Sequence, residues 1–261
     1  MPSFRELVSG FRLLGVESSK PVIVHTSLRS FGEIHGGAET LLGALLQVFP
    51  RLMAPTHTYI TMIIPEDGPD HNGIVYGSGK ILNRMAEIYR PDMPCDSLMG
   101  SLPETLRRHP SSKRSFHPIL SFAGIGVDTA LVKQTLADPL APIGALVDEG
   151  GWVLLLGVDH AVNTSIHWAE KLAGRRQFVR WALTRKGVVE CPGFPCCSLG
   201  FEQAAPRLEE ITRCAMIGAA MVRALPLRPM VKCIIDMIAE DEEALLCDDP
   251  ACERCAGVRG R

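Results

Sequence analysis

The chain has 261 residues, 46% of them hydrophobic, enough to bury a large core and short enough to fold as one domain over 1–261. Its 27 Lys and Arg against 29 Asp and Glu leave a formal charge of -2 with no long basic run, which speaks against nucleic acid and anionic membrane as main partners. The opening "MPSFRELVSGFRLLGVESSKPVIVH" lacks the features of a signal peptide and no apolar run approaches the roughly 18 residues of a bilayer span, so a cytoplasmic protein is expected.

In chain order, Phe4, Leu7, Phe11 and Leu14 recur at helical spacing after Ser3, a residue type suited to the N-cap, and Gly15 closes the turn. "PVIVHTS" is a short β-branched run that predicts a strand ending near His25. A loop with two glycines leads to an apolar helix from about Ala38 to Phe49, and "RLMAPTHTY" predicts a second strand. Residues 60–95 are rich in Pro, Asp and Gly, with one helix-like piece from Lys80 to Tyr89; long loops of this kind tend to be functional. Next come a helix in "GSLPETLRRHP", a strand in "HPILSFAGIG", helices in "DTALVKQTL" and "PIGALVDEG", and the strand "GWVLLLGV". A helix begins near Asn163, and "RLEEITRCAMIGAAMVRAL" and "MVKCIIDMIAEDEEALL" read as two late helices. Strands alternating with helices predict an α/β fold with a central sheet.

Four segments carry residues suited to chemistry. In "NTSIHWAE", His167 and Glu170 are three apart and share one helix face, with Asn163 one turn back. A carboxylate beside an imidazole fixes the tautomer and leaves the other nitrogen free to take a proton; the alternative is an ion pair on a solvated face. The preceding strand favours the first reading, because open α/β sheets bind ligands beyond their strands' carboxyl ends. In "HTSLRSFGEIHGG", the hydroxyls of Thr26, Ser27 and Ser30, the backbone amides around Leu28 and the charge of Arg29 suit an anionic ligand or an ordinary hydrogen-bonded turn. In "KRSFHP", Arg114, Ser115, Phe116 and His117 form a loop that would reach a phosphate or cap the preceding helix. Tyr59, Glu66, Asp67, Asp70 and His71 would line a polar cavity attractive to a cation, or lie in a solvated loop. No G-x-S-x-G or phosphate-loop motif is present.

Six of the nine cysteines gather in "CPGFPCC" and "CDDPACERC". Cys252 and Cys255 have zinc-ligand C-x-x-C spacing, which Cys247 or the upstream group would complete, but a second C-x-x-C arm is missing. The reading adopted is a Cys-rich tail, 247–261, with no metal.

Taken together, "VIVHTSLRSFGEIHGG", "PEDGPDHNGIVYG", "MGSLPETLRRHPSSKRSFHPILSFAGIG", "GWVLLLGVDHAVNTSIHWAE" and the tail "GFEQAAPRLEE" followed by "LLCDDPACERC" resemble, in family order, the aminoglycoside 3-N-acetyltransferases. The resemblance implies a three-layer α/β/α domain with a central mixed sheet, distinct from the more familiar GNAT acetyltransferase fold. It implies acetyl-CoA as co-substrate, an aminoglycoside as acceptor and an antibiotic-resistance activity. His167 and Glu170 would be the acid–base pair. Thr26, Ser27, Leu28, Arg29 and Ser30, with Arg114, Ser115, Phe116 and His117, would hold CoA. Tyr59, Glu66, Asp67, His71, Asp159 and Asn163 would hold the acceptor. It leaves open which amine is acetylated and the oligomeric state.

Overall fold

The computed structural model describes residues 1–260. Helix α1 (Phe4–Leu13) opens on a capping box: the Ser3 hydroxyl accepts from the Glu6 amide and the Glu6 carboxylate accepts from the Ser3 amide. Strand β1 (Val22–Thr26), helix α2 (Gly37–Val48) and strand β2 (Leu52–Pro55) follow. The irregular stretch contains the two-residue strand β3 (Met62–Ile63), a 3-10 turn (Ser78–Lys80) and the one-turn helix α3 (Leu82–Met85). Then come α4 (Ser101–Arg108), β4 (Lys113–Arg114), β5 (Phe122–Ile125), α5 (Asp128–Leu131), α6 (Ala141–Asp148), β6 (Trp152–Leu156) and α7 (Thr164–Leu172). The chain ends with β7 (Phe178–Thr184), β8 (Gly187–Phe194), α8 (Ala205–Leu208), β9 (Arg213–Ile217), β10 (Ala220–Pro226), α9 (Leu227–Glu240) and α10 (Glu253–Val258).

Seven strands form a mixed sheet in the order β4-β5-β2-β1-β6-β10-β9, with β2, β1 and β6 parallel and the flanking pairs antiparallel. The alternation of side chains divides the interior. Val22, Val24, Leu154, Leu156, Val222 and Ala224 point into a core with α1, α2 and α4. Ile23, Val153, Leu155 and Leu225 point into the opposite core with α6, α7 and α9. Helices cover both faces, giving the expected three-layer α/β/α arrangement. A separate three-stranded sheet, β3-β7-β8, shelters a third apolar cluster that includes Cys191, Cys196, Cys197, Cys247 and Cys255. Strand order reverses at β1: the connection through α2 leads to β2 on one side, and β6 arrives on the other. In open α/β sheets the ligand crevice lies at such a switch point.

The structure corrects several elements. Residues 207–225 are not a long helix: after α8 and a single 3-10 turn they form the β9–β10 hairpin. Gly218, at φ 60, occupies the first position of the two-residue turn, where a II′ loop needs a positive φ. The Ala-rich sequence favours helix only weakly, and pairing of β10 with buried β6 overrides it. The helix expected over 80–89 shrinks to α3, because Ala86 is extended and the Glu87 and Tyr89 amides donate to Ile60 O and Leu183 O. The strand expected from His117 starts only at Phe122, and the helix from Asp128 ends at Leu131.

Candidate active site

Beyond the carboxyl ends of β1, β2 and β6 lies a cleft of about 640 Å³, within the range that holds small ligands. Val24, His25 and Thr26 form its floor, Pro55, His57 and Tyr59 one wall, and Val158, Thr164 and His167 another. The second sheet contributes Met62, Arg180 and Phe194, and Pro195, Ser198 and Arg254 close that side.

The route from β6 to His167 is built residue by residue. Gly157, at φ 66, turns the chain beside Ser30, whose hydroxyl donates to Gly157 O at 2.8 Å. Asp159 accepts from the Ala161 amide (2.9 Å), and Asn163 accepts from the Ser165 amide (3.1 Å) as the N-cap of α7. One turn in, His167 reaches the cleft. Its Nδ1 donates to Glu170 Oε2 at 2.7 Å, which leaves Nε2 as the nitrogen available for chemistry. Glu170 is fully buried, and its Oε1 accepts from Arg175 Nη1 at 2.8 Å. Arg175 is held in turn by Glu242 O (3.0 Å) and Ala244 O (2.8 Å). Phe201 packs edge-on to the imidazole at 4.7 Å. The imidazole is thus oriented by a buried carboxylate whose own charge is balanced by a buried guanidinium.

Two further histidines stay neutral. Burial lowers His25 and His57 to about 3, with nearby imidazoles adding repulsion. His25 Nε2, His57 Nδ1 and the Thr26 hydroxyl are buried without a protein partner beside the cleft, so the floor offers polar groups to a ligand. Burial also pushes the Tyr59 phenol up to about 12.

The other expected site residues divide. In the loop 26–30, only Thr26 lines the cleft; the Ser27 amide is bonded to Leu156 O, Leu28 packs on the core, and Arg29 is exposed. Arg114 belongs to β4, not a free loop, and its guanidinium is spent on Ser121 Oγ (3.0 Å), Pro91 O, Met93 O and Thr56 O (2.7 Å). Ser115 is buried against the Phe122 backbone, and His117 Nδ1 accepts from the Ile119 and Leu120 amides while burial lowers the ring to about 4. Phe116 is 76% exposed. Glu66, Asp67, Asp70 and His71 are exposed on a loop that leads to Gly73 and Ile74 in the cleft wall. Asp159 is exposed. Asn163 is not part of the cleft lining: fully buried, its amide lies 3.3 Å from His160 Nδ1 and 3.4 Å from Met230 Sδ.

Sequence reasoning missed Arg175 as the buried partner of Glu170, and Arg180, Arg254, His25 and His57 as cleft residues. The last two carried a signal, since "VIVH" and "MAPTH" each end an apolar strand in an imidazole, at the end where an open α/β sheet binds ligands. Arg180 lies on β7, where its guanidinium bonds Asn72 O and Gly73 O and stacks over Phe194 at 4.7 Å.

The fold is a three-layer α/β/α protein with a carboxylate-oriented imidazole at its switch-point crevice. The family model for aminoglycoside 3-N-acetyltransferase matches residues 23–239, and the chain belongs to that family. Aminoglycoside N(3)-acetyltransferase VII of Streptomyces paromomycinus is 36% identical over 168 residues, 61% of this chain and 57% of the relative, so the chain spans less than two thirds of that protein's length. Among solved structures, the apoenzyme of aminoglycoside acetyltransferase AAC(3)-IVa superposes with a TM-score of 0.80 at 26% identity, over 99% of this chain and 97% of that one. A mutant of the same acetyltransferase in complex with a gentamicin gives a TM-score of 0.75 at 25% identity, over 99% and 96%.

Proposed function

We propose that this protein transfers the acetyl group of acetyl-CoA to the 3-amino group of a 2-deoxystreptamine aminoglycoside, with His167 as general base. The observation that carries the reading is the His167–Glu170 pair, buried on one side and open to the cleft on the other. An ammonium group has no lone pair, so the acceptor must lose a proton before its nitrogen closes on the thioester carbonyl. The ammonium gives its first proton to solvent on binding; the N–C bond then forms, His167 Nε2 takes the second proton from nitrogen and returns it to sulfur as the C–S bond breaks, so CoA leaves as the thiol. Glu170 orients the ring and stabilises its protonated form. Holding both substrates in one cleft supplies much of the remaining acceleration.

Direct transfer is favoured over an acyl-enzyme because, among the described residues, no cysteine lines the cleft and the Ser30 hydroxyl is occupied by Gly157 O. For CoA, the reading uses the Thr26 hydroxyl and exposed Arg29 and Phe116, with Ser27, Leu28, Ser30, Arg114, Ser115 and His117 shaping the two segments around them. For the acceptor, Tyr59 in the wall and Glu66, Asp67, His71 and Asp159 in the exposed loops would meet a polyamine, the acids drawing it in. Asn163 acts through the α7 cap.

Thiol release from acetyl-CoA should occur with gentamicin and other 2-deoxystreptamine aminoglycosides, not with simple amines, and product NMR should show the 3-N-acetyl derivative. Release with none of the aminoglycosides would overturn the acceptor assignment. Intersecting initial-rate plots are expected, and parallel plots would oppose direct transfer.

A further inference from the structure

Away from the cleft's chemistry, the sulfurs of Cys197, Cys247, Cys252 and Cys255 all lie within 4.8 Å of one another. Cys252 and Cys255 come from one C-x-x-C at the start of α10, Cys247 from the turn before it, and Cys197 from the segment after β8. Cys247 Sγ and Cys255 Sγ are 3.4 Å apart. Backbone amides point at the sulfurs: Leu199 N donates to Cys197 Sγ and Cys247 N to Cys255 Sγ, each at 3.4 Å. Such N–H···S bonds support thiolate ligands from the outer shell.

The backbone is bent to make this meeting. Leu245 sits at φ 65, a conformation that an L-residue with a bulky side chain rarely adopts. Gly200 lies so close that a Cβ there would stand 2.4 Å from Leu245 O. Two segments about 50 residues apart are thus pressed together where they carry cysteines. Apolar side chains would fill that space without converging polarisable ligands. Tetrahedral zinc with Zn–S near 2.3 Å needs sulfurs about 3.8 Å apart, so no pair need change by more than about 1 Å, the widest closing and Cys247–Cys255 opening slightly.

We propose that Cys197, Cys247, Cys252 and Cys255 form a closed, structural four-thiolate zinc site. The second C-x-x-C arm that the sequence lacks is replaced in the tertiary fold by Cys197. On binding, the four thiols give up their protons to solvent as four sulfur–zinc bonds form. All four positions are taken by sulfur, so the ion has no place for water or substrate and stays outside acetyl transfer. Its work is to clamp α10 to the segment after β8. Arg254, between two of the ligands, donates to Cys196 O at 3.1 Å, and Arg254, Pro195 and Ser198 all line the cleft. The clamp therefore fixes one wall of the cleft.

The full chain, purified without chelator from zinc-containing medium, should carry stoichiometric zinc by plasma mass spectrometry, released on thiol modification. Cys255→Ser should lose it, while Cys214→Ser, exposed on β9, should keep it. If Cys255→Ser does not fold, reduced wild-type chain refolded with cobalt(II) should show the intense visible bands of tetrahedral thiolate-bound cobalt. Metal removal should also speed proteolysis of the 241–258 segment. Chain that carries no zinc and takes up neither ion when reduced, or that shows a Cys252–Cys255 disulfide by intact mass as its native state, overturns the proposal. Each readout is independent of acetyltransferase activity.

Discussion

Arg175 Nη1 donates to Glu170 Oε1 at 2.8 Å with both side chains shut off from solvent. The opposite oxygen of the same carboxylate holds His167. Arg175 touches no cleft atom, so it is a positioning residue. Arg175→Ala would strand a buried carboxylate, a change that costs about 3–5 kcal/mol. A large fall in the urea midpoint is expected, with kcat falling more than the KM values rise in whatever fraction folds. An unchanged midpoint would show that Glu170 does not depend on this guanidinium.

Removing the base itself separates chemistry from binding. His167→Ala should lower kcat by about 10²- to 10⁴-fold while leaving the acetyl-CoA dissociation constant nearly unchanged. Glu170→Gln keeps the shape but removes the charge that stabilises the imidazolium, and a smaller loss is expected. Full activity in His167→Ala would remove the general-base reading.

Asn163 offers a clean distinction between a cap and a substrate contact. Its side-chain oxygen accepts from the Ser165 amide within the core, so Asn163→Ala should cost about 1 kcal/mol or somewhat more in stability. Acceptor KM should stay close to wild type. A selective rise in acceptor KM with stability intact would return Asn163 to the substrate list.

The neutral histidines predict acid sensitivity. His25 and His57 titrate near 3 in the folded chain against 6.5 when exposed, so between those values the unfolded chain binds protons that the folded chain refuses. Stability is then fully present above about pH 6.5 and is lost as pH falls, by up to about 1.4 kcal/mol per pH unit for each ring. Urea unfolding from pH 7 down to about pH 4 should show this slope, and His57→Gln should flatten it by one ring's share. Equal slopes in the two proteins would mean that His57 is accessible to protons in the native state.

At the β6 exit, Gly157→Ala combines a positive φ with a Cβ placed 2.3 Å from Ser30 Cβ. A loss of about 2 kcal/mol or more is expected, with displacement of the 26–30 loop lowering acetyl-CoA affinity. Ser30→Ala removes only the bond to Gly157 O, about 1 kcal/mol. Gly157→Ala matching wild type in thermal midpoint would contradict this account.

Much of the site was legible from short spacings. His167 and Glu170 meet because a helix brings residues i and i+3 onto one face, and "GWVLLLGV" announces the buried strand that aims them. Arg175 was not legible, because it returns to Glu170 from beyond the helix end and is held by carbonyls at Glu242 and Ala244. No periodicity encodes such a contact. Arg114 shows the converse: its charge suggested a free anion contact, and neighbouring carbonyls consume it.

The sequence by itself determined the alternation of strands and helices, the cap at Ser3, the histidine–carboxylate pair and the resemblance to one family, since each depends on neighbours a few residues apart or on ordered motifs along the chain. Tertiary structure decided that the Ala-rich stretch 213–226 is a hairpin, because pairing with β6 outweighs weak local preference. It also brought Cys197 to the C-terminal thiols from about 50 residues away, and His25 and His57 to the cleft floor in neutral form. Those outcomes rest on burial and long-range packing, which a linear sequence carries only implicitly.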